Sequence, residues 1–329
     1  MDLLKGKKIL LFSQFFFGYE KKIAEKMREY GAVVSLYDEM SITKPLERAF
    51  LKISASIFSK KTERYYFDIL EKEKENVYDY VLFIDCEMPT EKILKKYREI
   101  FSTAKFCLHL WDSLKNLKGV KDKFHCFDYI SSFDRKDACD CNIVFRPLFF
   151  LDAYRAKKEL VKYEYDISFI GTIHSDRYAI IKKLFDSTKM FFIYPFLQST
   201  FIYYFYRFTK SEFKGTSISD FKFKKIESEK IAEVISKSKA VLDIQHPRQT
   251  GLTMRTLEML GMKKKLVTTN SDIVNYDFYN ERNICVINRS SPVIPEEFYK
   301  TEYEEIPESI YEYYSIGQWV LGVLGVCNG

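Results

Sequence analysis

Short apolar runs recur along the chain, separated by segments in which apolar residues return every three or four positions. Lys7–Ser13, Ala32–Tyr37, Tyr80–Asp85, Lys105–Leu110, Phe127–Ser131 and Ile143–Phe145 read as buried strands. Between them, Tyr19–Tyr30, Pro45–Lys60, Glu63–Lys74 and Thr90–Ile100 read as helices, the first stopped by Gly31. Strands alternating with helices mean βαβ units and a parallel sheet. The rhythm lapses from Pro147 to about Tyr163, a charged stretch without strand character, and a domain boundary belongs there. It resumes with strands Tyr165–Gly171 and Met190–Tyr194 around a helix, Asp176–Ser187. The expected fold class is α/β, with two Rossmann-like, doubly wound parallel-sheet domains, residues 1–152 and 153–308.

The most informative stretch runs from Ser238 to Asn270. It predicts a buried strand (Ala240–Ile244), a polar loop (Gln245–Thr250), a helix (Leu252–Met262, preceded by Gly251) and a second strand (Lys265–Thr269). In open α/β sheets, ligands bind beyond the carboxyl ends of strands, which is where this loop lies. Free N–H groups and the positive end of the helix dipole attract phosphate there. Arg255 and Glu258 share one helix face. Either they form an ion pair on a wet surface, or Arg255 faces an anion at the helix start while Glu258 takes sugar hydroxyls.

Composition narrows the classes. The 329 residues suffice for two domains, and a 47% hydrophobic content fills their cores. A net charge of +6 gives only a modest bias towards anionic ligands or lipid. No dense Lys/Arg block or nucleic-acid-reading motif is present, so no nucleic-acid partner is expected. There is no G-x-G-x-x-G after the first strand, which removes the dinucleotide fingerprint. Seven scattered cysteines and four histidines make a zinc site a poor fit and suit reduced thiols in the cytoplasm. The N-terminus has signal-peptide features but no small-residue cleavage site, and works better as a first strand. No apolar run reaches the length of a membrane span.

Phe196–Phe213 mixes aromatics with Arg207 and Lys210. It reads first as a helix packing an aromatic stripe into the core, and second as a basic-aromatic face on an anionic membrane surface. Ser228–Ser238 reads as a helix, Ile284–Asn288 as a last strand, Glu296–Glu308 as an acidic connection, and about Ser309 onwards as a closing helix. The glycine-bearing tail VLGVLGVCNG finishes an amphipathic helix poorly, as a truncated or altered end would, and no function is assigned to it.

YDISFIGTIHSDR, QTGLTMRTLEMLGMKKKLVTTN and YDFYNERNICVINR resemble the C-terminal half of bacterial GT-B-fold glycosyltransferases, of the kind encoded with capsule and lipopolysaccharide genes. The resemblance covers about Asp166–Val320, and YEYYSIGQWV is similar to their closing helix, so 309–329 is expected to return to the N-terminal domain. It implies metal-independent transfer from a nucleotide-sugar to a saccharide or lipid-linked acceptor, in the cytoplasm or at the inner face of its membrane, with no cofactor. Glu258 matches the helix carboxylate that takes ribose hydroxyls. Gly251, Thr253 and Arg255 match the segment facing the diphosphate, and Gly171 and Thr172 match the loop whose small residue lets a backbone approach the donor. Many relatives carry two glutamates seven residues apart. Here Gly251 stands seven before Glu258, which favours inversion.

Inversion needs a base on the acceptor hydroxyl. Asp112 is the first choice, followed by Asp85 and Glu87, all at strand ends. Each taken singly reads more readily as a cap or loop carboxylate. Departure of the diphosphate needs positive charge, for which His246 and Arg248 are best placed. His174 either contacts the donor or caps a surface helix. Two rivals stand beside this reading: a nucleotide-sugar epimerase on the same scaffold, and a non-catalytic binding protein.

Overall fold

The computed structural model describes residues 3–15, 18–40, 59–156, 162–184, 189–247 and 250–326. Most of the helix expected at Pro45–Lys60 lies outside these residues, as does the end of the one expected at Asp176–Ser187. The chain divides into two compact units, Met1–Leu148 with Ile316–Gly329, and Phe149–Ser315.

The first unit holds a six-stranded, all-parallel sheet: β1 (Lys8–Ser13), β2 (Val33–Asp38), β3 (Tyr80–Ile84), β4 (Lys105–Leu110), β5 (Tyr129–Ser132) and β6 (Val144–Phe145). Their order is β2-β1-β3-β4-β5-β6. β1 pairs with β2 on one side and β3 on the other, so the strand order reverses between β1 and β3. Ligands of open α/β sheets settle at such a switch point. Tyr66, Phe83, Tyr97 and Phe106 pack on one core with Leu10 and Phe12. The helix Glu91–Ile100 starts where Thr90 accepts a hydrogen bond from Ile93 N–H.

β3 ends one residue earlier than expected, at Ile84. Asp85 and Cys86 then take left-handed conformations, φ 74° and 58°. Such backbone persists only where its surroundings impose it. Asp85 N–H bonds the His109 carbonyl, and Asp85 Oδ1 accepts from Trp111 and Asp112 N–H at 2.6 and 3.1 Å.

The closing segment contains two helices, Glu308–Tyr313 and Ile316–Val323. The second belongs to the first unit and is buried nearly all round, with Trp319, Val320 and Leu321 inside. A helix apolar on every side is a core helix, not an amphipathic one. That accounts for its composition. Gly322 is required by close approach: a Cβ there would lie 2.5 Å from Arg146 Nε. Trp319 meets the buried His109 ring edge-on at 5.1 Å between centroids.

The second unit is a five-stranded parallel sheet: β7 (Tyr165–Thr172), β8 (Phe191–Phe196), β9 (Ser238–Asp243), β10 (Lys265–Thr268) and β11 (Ile284–Val286). The order β11-β10-β9-β7-β8 puts the switch point between β7 and β9. The expected acidic connection contains a short helix, Glu296–Lys300.

The aromatic run departs from the first expectation. Its helix, Thr200–Thr209, buries only Tyr203 fully, while Phe201, Tyr204, Phe205 and Phe208 are exposed. The inner side is already filled by Tyr203 and Tyr206 against Phe221 and Phe213, and the remaining aromatics lie beyond that contact.

Candidate functional site

The site builds on the turn where β9 becomes a helix. Asp243, the last residue of β9, is buried and accepts from the hydroxyls of Thr253 at 2.7 Å and Thr256 at 3.1 Å. Thr253 is the N-cap, its hydroxyl accepting from Thr256 N–H. The helix therefore begins at Met254, two residues later than expected, because capping geometry holds Thr253 extended. Asn270 Nδ2, just past β10, donates to the Thr250 and Gly251 carbonyls at 3.0 and 3.4 Å. The loop is thus tied from below by a carboxylate and from the side by an amide.

Two guanidinium groups hold its other end. Arg177 donates through Nε to the Ile244 carbonyl and through Nη1 to the Thr172 carbonyl, linking the ends of β9 and β7. A Cβ at Gly171 would lie 3.2 Å from the Phe169 ring, a tight contact, and 3.6 Å from Arg177 Nη1, an ordinary one. Arg289, beyond β11, donates to the Gln245 carbonyl at 2.6 Å and to both oxygens of Asp176 at 2.8 and 2.9 Å. Lys210 donates to the Ser175 carbonyl at 2.6 Å. His174 and His246 lie with ring centroids 5.5 Å apart. Burial first, then the charge of Arg177, holds the His174 imidazole down at about 4, so it is neutral at pH 7.

Glu258 is 5% exposed and lies 3.2 Å from Arg255 across one helical turn, with Tyr154 hydrogen-bonded to it. The ion pair is present but buried, which corrects the wet-surface reading. Arg255 Nη1 is buried and faces Glu258 Oε2 at 3.2 Å as an ion pair without an aligned hydrogen bond among the described residues. Arg248 lies outside the described residues.

Asp85 and Asp112 belong to the first unit. Burial pushes the Asp85 carboxyl up to about 7, against the pull of its two N–H donors. Asp112 Oδ1 accepts from Ser113 N–H at 2.7 Å and Asn116 Nδ2 at 2.9 Å, a local cap. Glu87 is exposed. Nearby, Glu39 is fully buried, a feature not anticipated from the sequence.

Arg177, Arg289, Lys210, Asp243 and Asn270 were also not anticipated as site residues. Asp243 and Arg289 had a usable signal, since both fall at or just past strand ends. Lys210 had none, because its place depends on how the aromatic helix lies.

No family model matches the sequence, and no curated protein matches it. Solved structures do resemble it. Anabaena Alr3699/HepE in complex with UDP and glucose matches with a TM-score of 0.55 at 10% identity, covering 97% of this chain and 95% of that one. The E. coli trehalose-6-phosphate structure bound with UDP-2-fluoro glucose matches with a TM-score of 0.60 at 8% identity, covering 97% and 98%. The fold is GT-B. UDP-GlcNAc 2-epimerase from Methanocaldococcus jannaschii shares it, with a TM-score of 0.54 at 11% identity, covering 97% and 99%. No helix among the described residues is long and apolar enough to cross a membrane.

Proposed function

We propose that this chain is a glycosyltransferase that moves a sugar from a nucleotide-sugar to a saccharide or lipid-linked acceptor in surface polysaccharide synthesis. The observation that carries the reading is the gathering of Arg177, Arg289, Arg255, Lys210 and a neutral His174 around the β9 turn, at the switch point of the second sheet. Oriented N–H groups at a helix start, with fixed cations beside them, suit a diphosphate that gains charge as it leaves. Their number supports departure without a resident metal. Gly171, Thr172, Gly251 and Thr253 shape the backbone that the donor approaches, and His246 is exposed beside it. Glu258 would meet the ribose.

Asp85 is the proposed base on the acceptor hydroxyl. Asp85 has a carboxyl tuned near neutrality, which proton transfer at pH 7 favours. Asp112 is the alternative, more open but tied as a cap. The likeness to an epimerase keeps a second reading in view, isomerisation of the sugar without an acceptor.

The test is incubation with UDP-, GDP-, dTDP- and CMP-sugars, with and without saccharide acceptors. Nucleotide release that an acceptor accelerates supports transfer. Conversion of the donor sugar with no acceptor supports the epimerase, and binding without turnover refutes both.

A further inference from the structure

The Thr200–Thr209 helix carries a face that the sheet does not use. Phe201, Tyr204, Phe205 and Phe208 recur at helical spacing along one side and are 77%, 52%, 55% and 87% exposed. This is not a loosely attached helix. Ser199 caps its start by accepting from Ile202 N–H. On the opposite side the Tyr203 hydroxyl donates to the Thr216 carbonyl at 2.9 Å, and Arg207 donates to the Tyr203 hydroxyl at 3.1 Å. Phe213 and Phe221 stack beneath at 5.1 Å. The inner face is satisfied, and the aromatic outer face is held outward by a firm base.

The charge around it is one-sided. Between residues 200 and 225 the chain carries Arg207, Lys210, Lys214, Lys222, Lys224 and Lys225 against only Glu212 and Asp220. Lys214, Lys222 and Lys224 are exposed. This short segment therefore supplies much of the excess of cations in a chain whose net charge is only +6. We infer that the aromatic face of this helix is a docking surface for an anionic lipid bilayer. Aromatic side chains entering the headgroup boundary beside lysines are the pattern of a helix lying in the interface plane. A helix of this length, about 15 Å, lies on a bilayer and does not span it. Its last turn leads into Lys210, which bonds the Ser175 carbonyl of the β7 loop, so a docked helix would hold the candidate donor loop near the lipid surface.

The experiment is cosedimentation of the full chain with phosphatidylcholine vesicles, with and without about 30% phosphatidylglycerol. Binding to the anionic vesicles, weakened by salt, is expected. Phe201→Ser with Phe208→Ser should lower it by at least about tenfold at an unchanged melting temperature, since both side chains are solvated in the protein. If that variant does not fold, Lys214→Glu with Lys222→Glu should show the same fall. Absent binding, equal binding to both vesicles, or variants that bind like the parent would overturn the inference. So would self-association of the parent, in sedimentation velocity without lipid, that the aromatic variant loses. The inference does not rest on the transferase reading. Nucleotide binding measured in parallel reports on the donor site alone.

Discussion

Glu39→Gln should flatten the pH dependence of stability between mildly acidic and mildly alkaline solution. The Glu39 side chain is wholly buried; Oε1 accepts from Met88 N–H at 2.6 Å, and Oε2 has no hydrogen-bond partner among the described residues. One donor cannot replace the hydration of a carboxylate. Burial, with Asp85 and Glu87 adding to it, therefore raises this carboxyl from 4.5 to about 8. The folded state binds the proton more tightly than the unfolded state. The resulting stability is fully present below about 4.5 and is lost as pH rises through about 8. At about 1.4 kcal/mol per pKa unit the whole window corresponds to roughly 3–5 kcal/mol. Gln keeps an oxygen for Met88 N–H and has nothing to ionise. Urea denaturation of both proteins, at about pH 5 and about pH 9, should show the parent losing roughly 3–5 kcal/mol relative to the variant. Parallel stability curves across that range would refute the reasoning.

Glu258→Gln preserves the shape of the buried Arg255 pair and should weaken nucleotide-sugar binding about tenfold, read by calorimetry; an unchanged Kd removes Glu258 from the donor site. Asp85→Asn suits a left-handed position, where Asn is tolerated, and should keep the fold. A base must be deprotonated, so the parent's kcat/KM should rise with pH through about 7, and the variant should lose that limb together with most turnover. A variant with the parent's profile would return the role to Asp112. Gly261→Ala brings a Cβ within 2.6 Å of the Phe150 ring and should cost about 1–3 kcal/mol of stability. An unchanged denaturation midpoint would show that the ring yields freely.

The sheets were legible because parallel strands buried on both faces read as continuous apolar runs, as in KILLFS and YVLFI. The β9 turn was legible because β9 and β10 flank a polar loop that leads into a helix. The sequence does not display the clamps. Arg177 and Arg289 lie 67 and 44 residues from the carbonyls of Ile244 and Gln245 that they hold, and no local pattern marks such pairs. The aromatic helix shows the opposite limit. Its periodicity was visible, but periodicity gives a stripe without saying which way it faces. The spacing of Arg255 and Glu258 gave the ion pair and not its burial, which depends on Tyr154 and the chain around it.

The central claim is that a nucleotide diphosphate binds at the turn from β9 into the Met254–Gly261 helix. A crystal soaked with a mixture of nucleotide-sugars tests it most directly. Diphosphate density is expected against the N–H groups that follow Thr253 and within reach of the Arg255 guanidinium. Density for the nucleotide anywhere else on the second unit, with this turn left bare, would contradict it.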